Sequence, residues 1–169
     1  MEFDKKKYRQ LFEQCTQEKR IKKSQQSFKV RLFLEKADFV KNAKEFISKA
    51  EHYLKATDYL KKGQYSDISA TTIFFSLYHS LLAIAAKFGY ESRNQECTFA
   101  LIHYLIEEGK IEFDNSLLNK IAALEPKSDE ETSVDIRERF QYGTEFKMDE
   151  ELYNNMVNLA KEVIVIALL

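Results

Sequence analysis

The sequence predicts an all-α fold, a helical bundle organised around one buried helix. Three observations carry this. Four Gly and one Pro in 169 residues leave few turns and little linker. Apolar residues recur at steps of three and four along most of the chain, the spacing that gathers them on one face of a helix. Residues 65–89 hold the most apolar stretch, and residues 73–86 within it are apolar on nearly every face. A helix that is apolar all round is buried all round.

Taken in order, residues 4–23 read as a first helix with a narrow stripe of Tyr8, Leu11, Phe12 and Cys15. Ser24, Gln25, Gln26 and Ser27 form a polar break. A second long helix begins near Val30 and ends before Gly63, with Phe39, Ala43, Phe46, Ile47, Ala50, Tyr53, Leu54, Thr57 and Leu60 on its inner face. Its outer face carries Lys41, Lys44, Lys49, Lys55, Lys61 and Lys62 and reads as a solvated face; His52 lies at the stripe's edge.

In the central helix Ser66 or Asp67 can cap the first turn, and Gly89 can end it in the left-handed conformation. Ser76, His79 and Ser80 interrupt the apolar run, which is expected to be too short for a membrane span of roughly 20 apolar residues. His79 reads as a core histidine with one hydrogen-bond partner, and Phe74, Phe75, Tyr78 and Phe88 as core aromatics.

Residues 90–93 read as a turn, with Ser92 or Asn94 as the next cap and Ser92 with Gln95 as a capping box. Leu101, Ile102, Leu105 and Ile106 form the following stripe, which Gly109 stops. Asn115 or Ser116 starts a short helix through Leu124, before Pro126. A second capping box is read at residues 128–131, opening a polar helix that runs through Arg137 and Arg139 to Gly143. In that helix Val134, Ile136, Phe140 and Tyr142 are the packing residues, and its polarity marks it as a place to look for function. Asp149 caps the last helix, whose inner face is Leu152, Met156, Leu159, Ala160, Val163, Ile164 and Ala167. Residues 163–169 are apolar on all sides and call for cover by the bundle or a second chain.

The length suits a single domain, 1–169, divided into an N-terminal basic helix and connector (1–27) and the bundle (28–169). The net charge of −1 conceals a split: residues 1–65 carry 17 Lys/Arg against 9 Asp/Glu, and residues 66–169 carry 9 against 18. Such asymmetry suits a nucleic-acid face, or one half packing on the other or on a second subunit. The N-terminus lacks the apolar core of a secretory signal. Cys15 and Cys97 have no metal-type spacing and read as reduced thiols of a cytoplasmic protein.

The sequence has no Glu-x-x-His pair for a di-iron site, no P-loop and no Gly-x-Ser-x-Gly elbow. Neither a metal nor a cofactor is expected.

Several stretches together resemble the HEPN family of prokaryotic helical domains. They are Tyr65, Ser66 and Asp67; Tyr78 and His79; Lys87, Phe88, Gly89 and Tyr90; Phe113 and Asp114 before a short helix; and Arg137 followed after four residues by Tyr142 and Gly143, then Phe146. Leu11, Phe12, Glu13, Gln14 and Cys15 with Lys19, Arg20, Ile21 and Lys22 resemble its small stand-alone members. The resemblance implies an antiparallel four-helix up-and-down bundle with additional short helices, usually a homodimer. Many such proteins are metal-independent ribonuclease toxins paired with a nucleotidyltransferase-type antitoxin. Their site is an Arg followed after four to six residues by a His that serves as general acid or base while the Arg holds the phosphate. Here Arg137 matches the Arg, and Tyr142, Gly143 and Thr144 stand where the His belongs. The resulting expectation is a non-catalytic module, with no membrane role, that binds RNA, a nucleotide or a partner protein through Arg137, Arg139, Tyr142 and His79. The alternatives are a ribonuclease toxin with a degenerate Arg-x4-Tyr site and a structural dimerisation protein.

Overall fold

The computed structural model describes residues 2–23, 29–122 and 131–169, with side chains over 5–23, 38–122 and 131–169. The described residues are mostly helical, with two short strands. The described elements are α1 (Glu2–Gln17), β1 (Ile21–Lys23), α2 (Lys29–Lys62), α3 (Ser66–Lys87), β2 (Tyr90–Ser92), α4 (Gln95–Glu107), α5 (Asn115–Ile121), α6 (Ser133–Tyr142) and α7 (Glu150–Leu168).

Helix α3 is the centre. It packs against α2, α7, α6 and α4, most extensively against α2. Ile73, Phe74, Leu77, Leu81, Ala83 and Ala85 are at most 1% exposed. Each large apolar side chain so buried contributes roughly 1.5–3 kcal/mol. By length and composition α3 is long and apolar enough to cross a membrane, which corrects the expectation from its interruptions. Within the fold, neighbouring helices cover most of its apolar surface.

The hydroxyls of α3 are satisfied inside this packing. Ser76 Oγ donates to the Ala50 carbonyl of α2 at 2.9 Å, and Ser80 Oγ to the Ser76 carbonyl at 2.9 Å. Thr57 Oγ1 and Thr72 Oγ1 lie 2.7 Å apart across the same interface. These bonds fix the register of α2 on α3, because an unpaired buried hydroxyl costs about 1–3 kcal/mol.

Several expected boundaries are corrected. Neither Ser66 nor Asp67 caps α3: the N-cap is Tyr65 with no side-chain bond, and Ser66 Oγ instead accepts the Met148 N–H at 2.9 Å. Gly89 does take the left-handed conformation, φ +76°, and a Cβ there would lie 3.4 Å from the Phe39 ring. The first helix stops at Gln17, where Lys19 turns at φ +56°. The chain then forms β1, which pairs antiparallel with β2 where a turn was expected, with Ile21 opposite Ser92 and Lys23 opposite Tyr90. Asn94, not a Ser92–Gln95 box, caps α4 by accepting the Cys97 N–H. Asp114 caps α5, ahead of the expected Asn115 or Ser116, and α5 ends at Ile121. The box opening α6 is Thr132 with Asp135; residues 128–130 of the expected box, like 24–27 of the polar break and Pro126, lie outside the described residues. Asp149 caps α7 as expected, accepting from Glu151 and Leu152. Tyr142 does not pack: it is 76% exposed.

Cys15 and Cys97 are not reduced thiols. They form a disulfide between α1 and α4, with Cα atoms 5.8 Å apart and both side chains fully buried. The inference of compartment that rested on free thiols falls with them. Around the cross-link, Tyr8 stacks on His103 at 3.8 Å and Phe12 on Tyr104 at 4.2 Å, so α1 is held to α4 by covalent and aromatic contacts together. Closing a loop of 82 residues removes unfolded-state entropy. Reduction, or replacement of both cysteines by Ser, is therefore expected to cost about 3–5 kcal/mol in urea unfolding. An unchanged midpoint under reducing conditions would contradict this.

Candidate functional site

The four residues singled out by sequence fall into two places. Arg137, Arg139 and Tyr142 lie on α6; His79 faces away from them, toward α2.

On α6 the arginines are already engaged. The Arg137 guanidinium lies 4.6 Å from the Phe74 ring of α3. Its Nη2 donates to Glu138 Oε1 at 2.7 Å and its Nη1 reaches Gln95 Oε1 at 3.5 Å. Only 15% of the side chain is exposed. Arg139 pairs with Glu131 at 3.0 Å and lies over the Phe140 ring. Tyr142 points into solvent beyond them, as does Phe146, 83% exposed in the following loop. Gly143 closes the helix against the Arg139 carbonyl so tightly that a Cβ would come within 2.3 Å of it. The sequence spacing does not bring these side chains into one cleft. Arg137 works as a brace between α6, α3 and α4.

The second place is a cleft of about 460 Å³ between α2 and α3, closed at one end by β2. Its α2 wall includes Asn42, Phe46 and Lys49; its α3 wall includes His79 and Leu82; Glu91 and Arg93 line its β2 end. It exists because α2 and α3 form a hairpin through residues 63–65, and the chain leaves the α3 C-terminus at Gly89, beside Phe39 of α2, to form β2.

His79 is the chemically distinctive group there. Its Nδ1–H donates to the Phe75 carbonyl at 2.8 Å, which leaves Nε2 as the unprotonated nitrogen. The rings of Tyr53 (5.3 Å) and Phe46 (6.1 Å) flank the imidazole. Burial pushes its pKa below the ordinary value, the Phe75 bond partly opposes that, and the nearby Lys49 ammonium lowers it further. Lys49 makes no ion pair among the described residues and sits 5.1 Å from the Tyr53 ring. Asn42 and Arg93 likewise have no hydrogen-bond or ionic partner among the described residues. Glu45, on the same wall, reaches Lys41 at 4.0 Å.

Sequence reasoning placed His79 among the candidates but missed Asn42, Lys49 and Arg93. Lys49 was read as part of a solvated lysine face, and it is exposed; what that reading lacked is that Lys49 also borders the cleft. The available signal was its position: Phe46 and Lys49 fall three residues apart on α2, on the edge that turns toward α3. Among the described residues no three His, Cys, Asp or Glu side chains converge as metal ligands. No protein-family model, curated protein or solved structure matches this chain.

Two outcomes follow. A folded state that holds His79 neutral has that part of its stability complete above about pH 6.5, and loses it as pH falls through the depressed pKa. The melting temperature should drop between pH 7 and pH 5, with Lys49 as the charge that acts on the ring and Glu45, Glu91 and Arg93 as the other charged groups lining the cleft, and His79→Gln should flatten that drop; an identical profile in the variant would contradict the assignment. Arg137→Ala should lower stability by about 1–3 kcal/mol in chemical unfolding, because it leaves Phe74 and Gln95 without their cover. An unchanged stability would return Arg137 to the list of free binding groups.

Proposed function

We propose that this chain is a HEPN-like, non-catalytic binding module that takes a phosphate-bearing ligand, RNA or a nucleotide, in the α2–α3 cleft. The observation that carries this reading is the cleft itself. An imidazole held toward its neutral form lines a concave site with aromatic walls, together with an ammonium and a guanidinium that have no ionic partner among the described residues. Ligand sites have this character: mostly apolar surface with a few convergent polar groups, in a volume of roughly 300–1,000 Å³. Lys49 and Arg93 supply charge-assisted donors to a phosphate, and His79 Nε2 supplies an acceptor to a ligand hydroxyl.

The HEPN resemblance supports the same class of function, with an antiparallel four-helix bundle in which α2, α3 and α7 are main helices. The geometry favours binding over the degenerate ribonuclease. Arg137 turns its Nη2 to Glu138 and its Nη1 toward Gln95, and Tyr142 stands exposed where the family's His would be. Homodimerisation enters the reading through the apolar C-terminus, where Val165 and Leu168 are each 56% and Leu169 95% exposed. A nucleotidyltransferase-type partner belongs to the same proposal on the resemblance alone.

The test is a titration of isotope-labelled protein with two probes, a mixed-sequence ribo-oligonucleotide and an equimolar mixture of the four ribonucleoside monophosphates. At least one probe should move the Lys49 and His79 signals, with an affinity that falls as salt rises. Lys49→Ala should weaken it tenfold or more, and Arg137→Ala, where it remains folded, should leave it unchanged. Binding that depends on Arg137 and ignores Lys49 would move the site to α6. No response of Lys49 and His79 to either probe would end the reading.

A further inference from the structure

The cleft is more discriminating than a phosphate site needs to be. Its charges cancel: Lys49 and Arg93 stand against Glu45 and Glu91, and His79 is held toward its neutral form. A bare anion gains little from such a lining. A strand of RNA brings one negative charge for every nucleotide, and would carry its neighbouring phosphates past two carboxylates. A ligand with one phosphate and a large uncharged body suits the balance better.

The uncharged part of the lining points to what that body is. Phe46 is half-buried on the cleft wall, with its ring tilted 51° to the imidazole of His79, so the two do not stack on each other. Flat π-systems beside a cleft are surfaces on which a base stacks, worth roughly 1–3 kcal/mol per base where measured by alanine substitution. Asn42 lies one turn before Phe46 on the same wall. Its carboxamide has no hydrogen-bond partner among the described residues, and it both donates and accepts, the pair of functions that a nucleobase edge presents. At the β2 end, Glu91 also lacks a partner among the described residues, and a carboxylate there can accept from the two hydroxyls of a ribose. The volume, about 460 Å³, exceeds what a phosphate alone fills and lies in the range of sites for single small molecules.

We propose that the α2–α3 cleft is a ribonucleoside monophosphate site, with the base recognised by Phe46 and Asn42 and the phosphate by Lys49 and Arg93. This rests on the reading of the cleft as a phosphate-bearing ligand's site and narrows it to one ligand class. It also gives the unpartnered groups of the lining separate parts to play: cations for the phosphate, amide and ring for the base, carboxylate for the sugar.

The experiment compares AMP, GMP, CMP and UMP singly with ribose 5-phosphate, with adenosine and guanosine, and with the mixed ribo-oligonucleotide. Affinity is read by calorimetry and location by chemical-shift changes in the Asn42 side-chain amide, Lys49 and His79. At least one monophosphate should bind tenfold or more tightly than ribose 5-phosphate and than its own nucleoside, and more tightly than the oligonucleotide. Asn42→Ala should remove the preference over ribose 5-phosphate, and Lys49→Ala the preference over the nucleoside; melting curves of both variants verify that each is folded. Ribose 5-phosphate binding as tightly as every monophosphate would overturn base recognition. An oligonucleotide that binds through Lys49 while the monophosphates do not would overturn this inference and leave the broader reading standing. Silence of Lys49 and His79 toward every probe would overturn both.

Discussion

The structure depends on covering α3. A helix apolar on nearly all sides has no stable place in water, so every neighbour is arranged to take one of its faces. Helix α2 lies along it as the other arm of a hairpin, α7 and α6 close further faces, and α4 meets it through Tyr78 and Thr98. The buried polar groups on α3 do not weaken this, because Ser69, Thr72, Ser76 and Ser80 each donate to a backbone carbonyl and Ser66 accepts the Met148 N–H. Polar atoms in a core are tolerated on that condition, and they select one packing among several that burial alone would allow.

Coverage is incomplete at the start of α3, where Ile68 is 47% exposed, and again toward its C-terminus, where the chemistry collects. Between α2 and α3, toward β2, the two helices leave a cleft rather than a seam. The polar side chain that α3 presents to it, His79, has one nitrogen fixed by the Phe75 carbonyl and the other without a partner among the described residues. The β2 end of the cleft is itself secured at a distance. Strand β2 pairs with β1, β1 follows α1, and α1 is tied to α4 by Cys15–Cys97. The basic and acidic halves of the chain meet on the other side of the fold, where Lys61 of α2 pairs with Glu150 and lies 4.0 Å from the Tyr153 ring of α7.

Much of the fold was legible because burial writes itself into periodicity. The inner faces of α2 and α7, the extent of α3, the left-handed Gly89 and the Asp149 cap all follow from local rules acting on a few residues. The β1–β2 ladder was not legible, because Ile21, Lys22 and Lys23 continue a helical composition and form a strand only against a partner some 70 residues away. The disulfide escaped for a similar reason: pairing depends on where α1 docks, and spacing along the chain is silent on that. The site was half legible. Arg137 looked available because sequence shows its charge but not the Phe74 ring beneath it or the Gln95 amide of α4 within its reach. Lys49 looked like one solvated lysine among six; it is exposed as that reading has it, and what separates it is the cleft that it borders beside His79.

The cleft is defined most directly by the state of one side chain, His79. The deciding measurement is the nitrogen-15 spectrum of the His79 imidazole across pH 4–8, assigned through its loss in His79→Gln. The structure predicts a neutral ring at pH 7, protonated at Nδ1 and bare at Nε2, titrating below the ordinary imidazole value near 6.5. A ring protonated at Nε2, or one charged at neutral pH, would mean that the Phe75 bond and the burial that define the cleft are not as described.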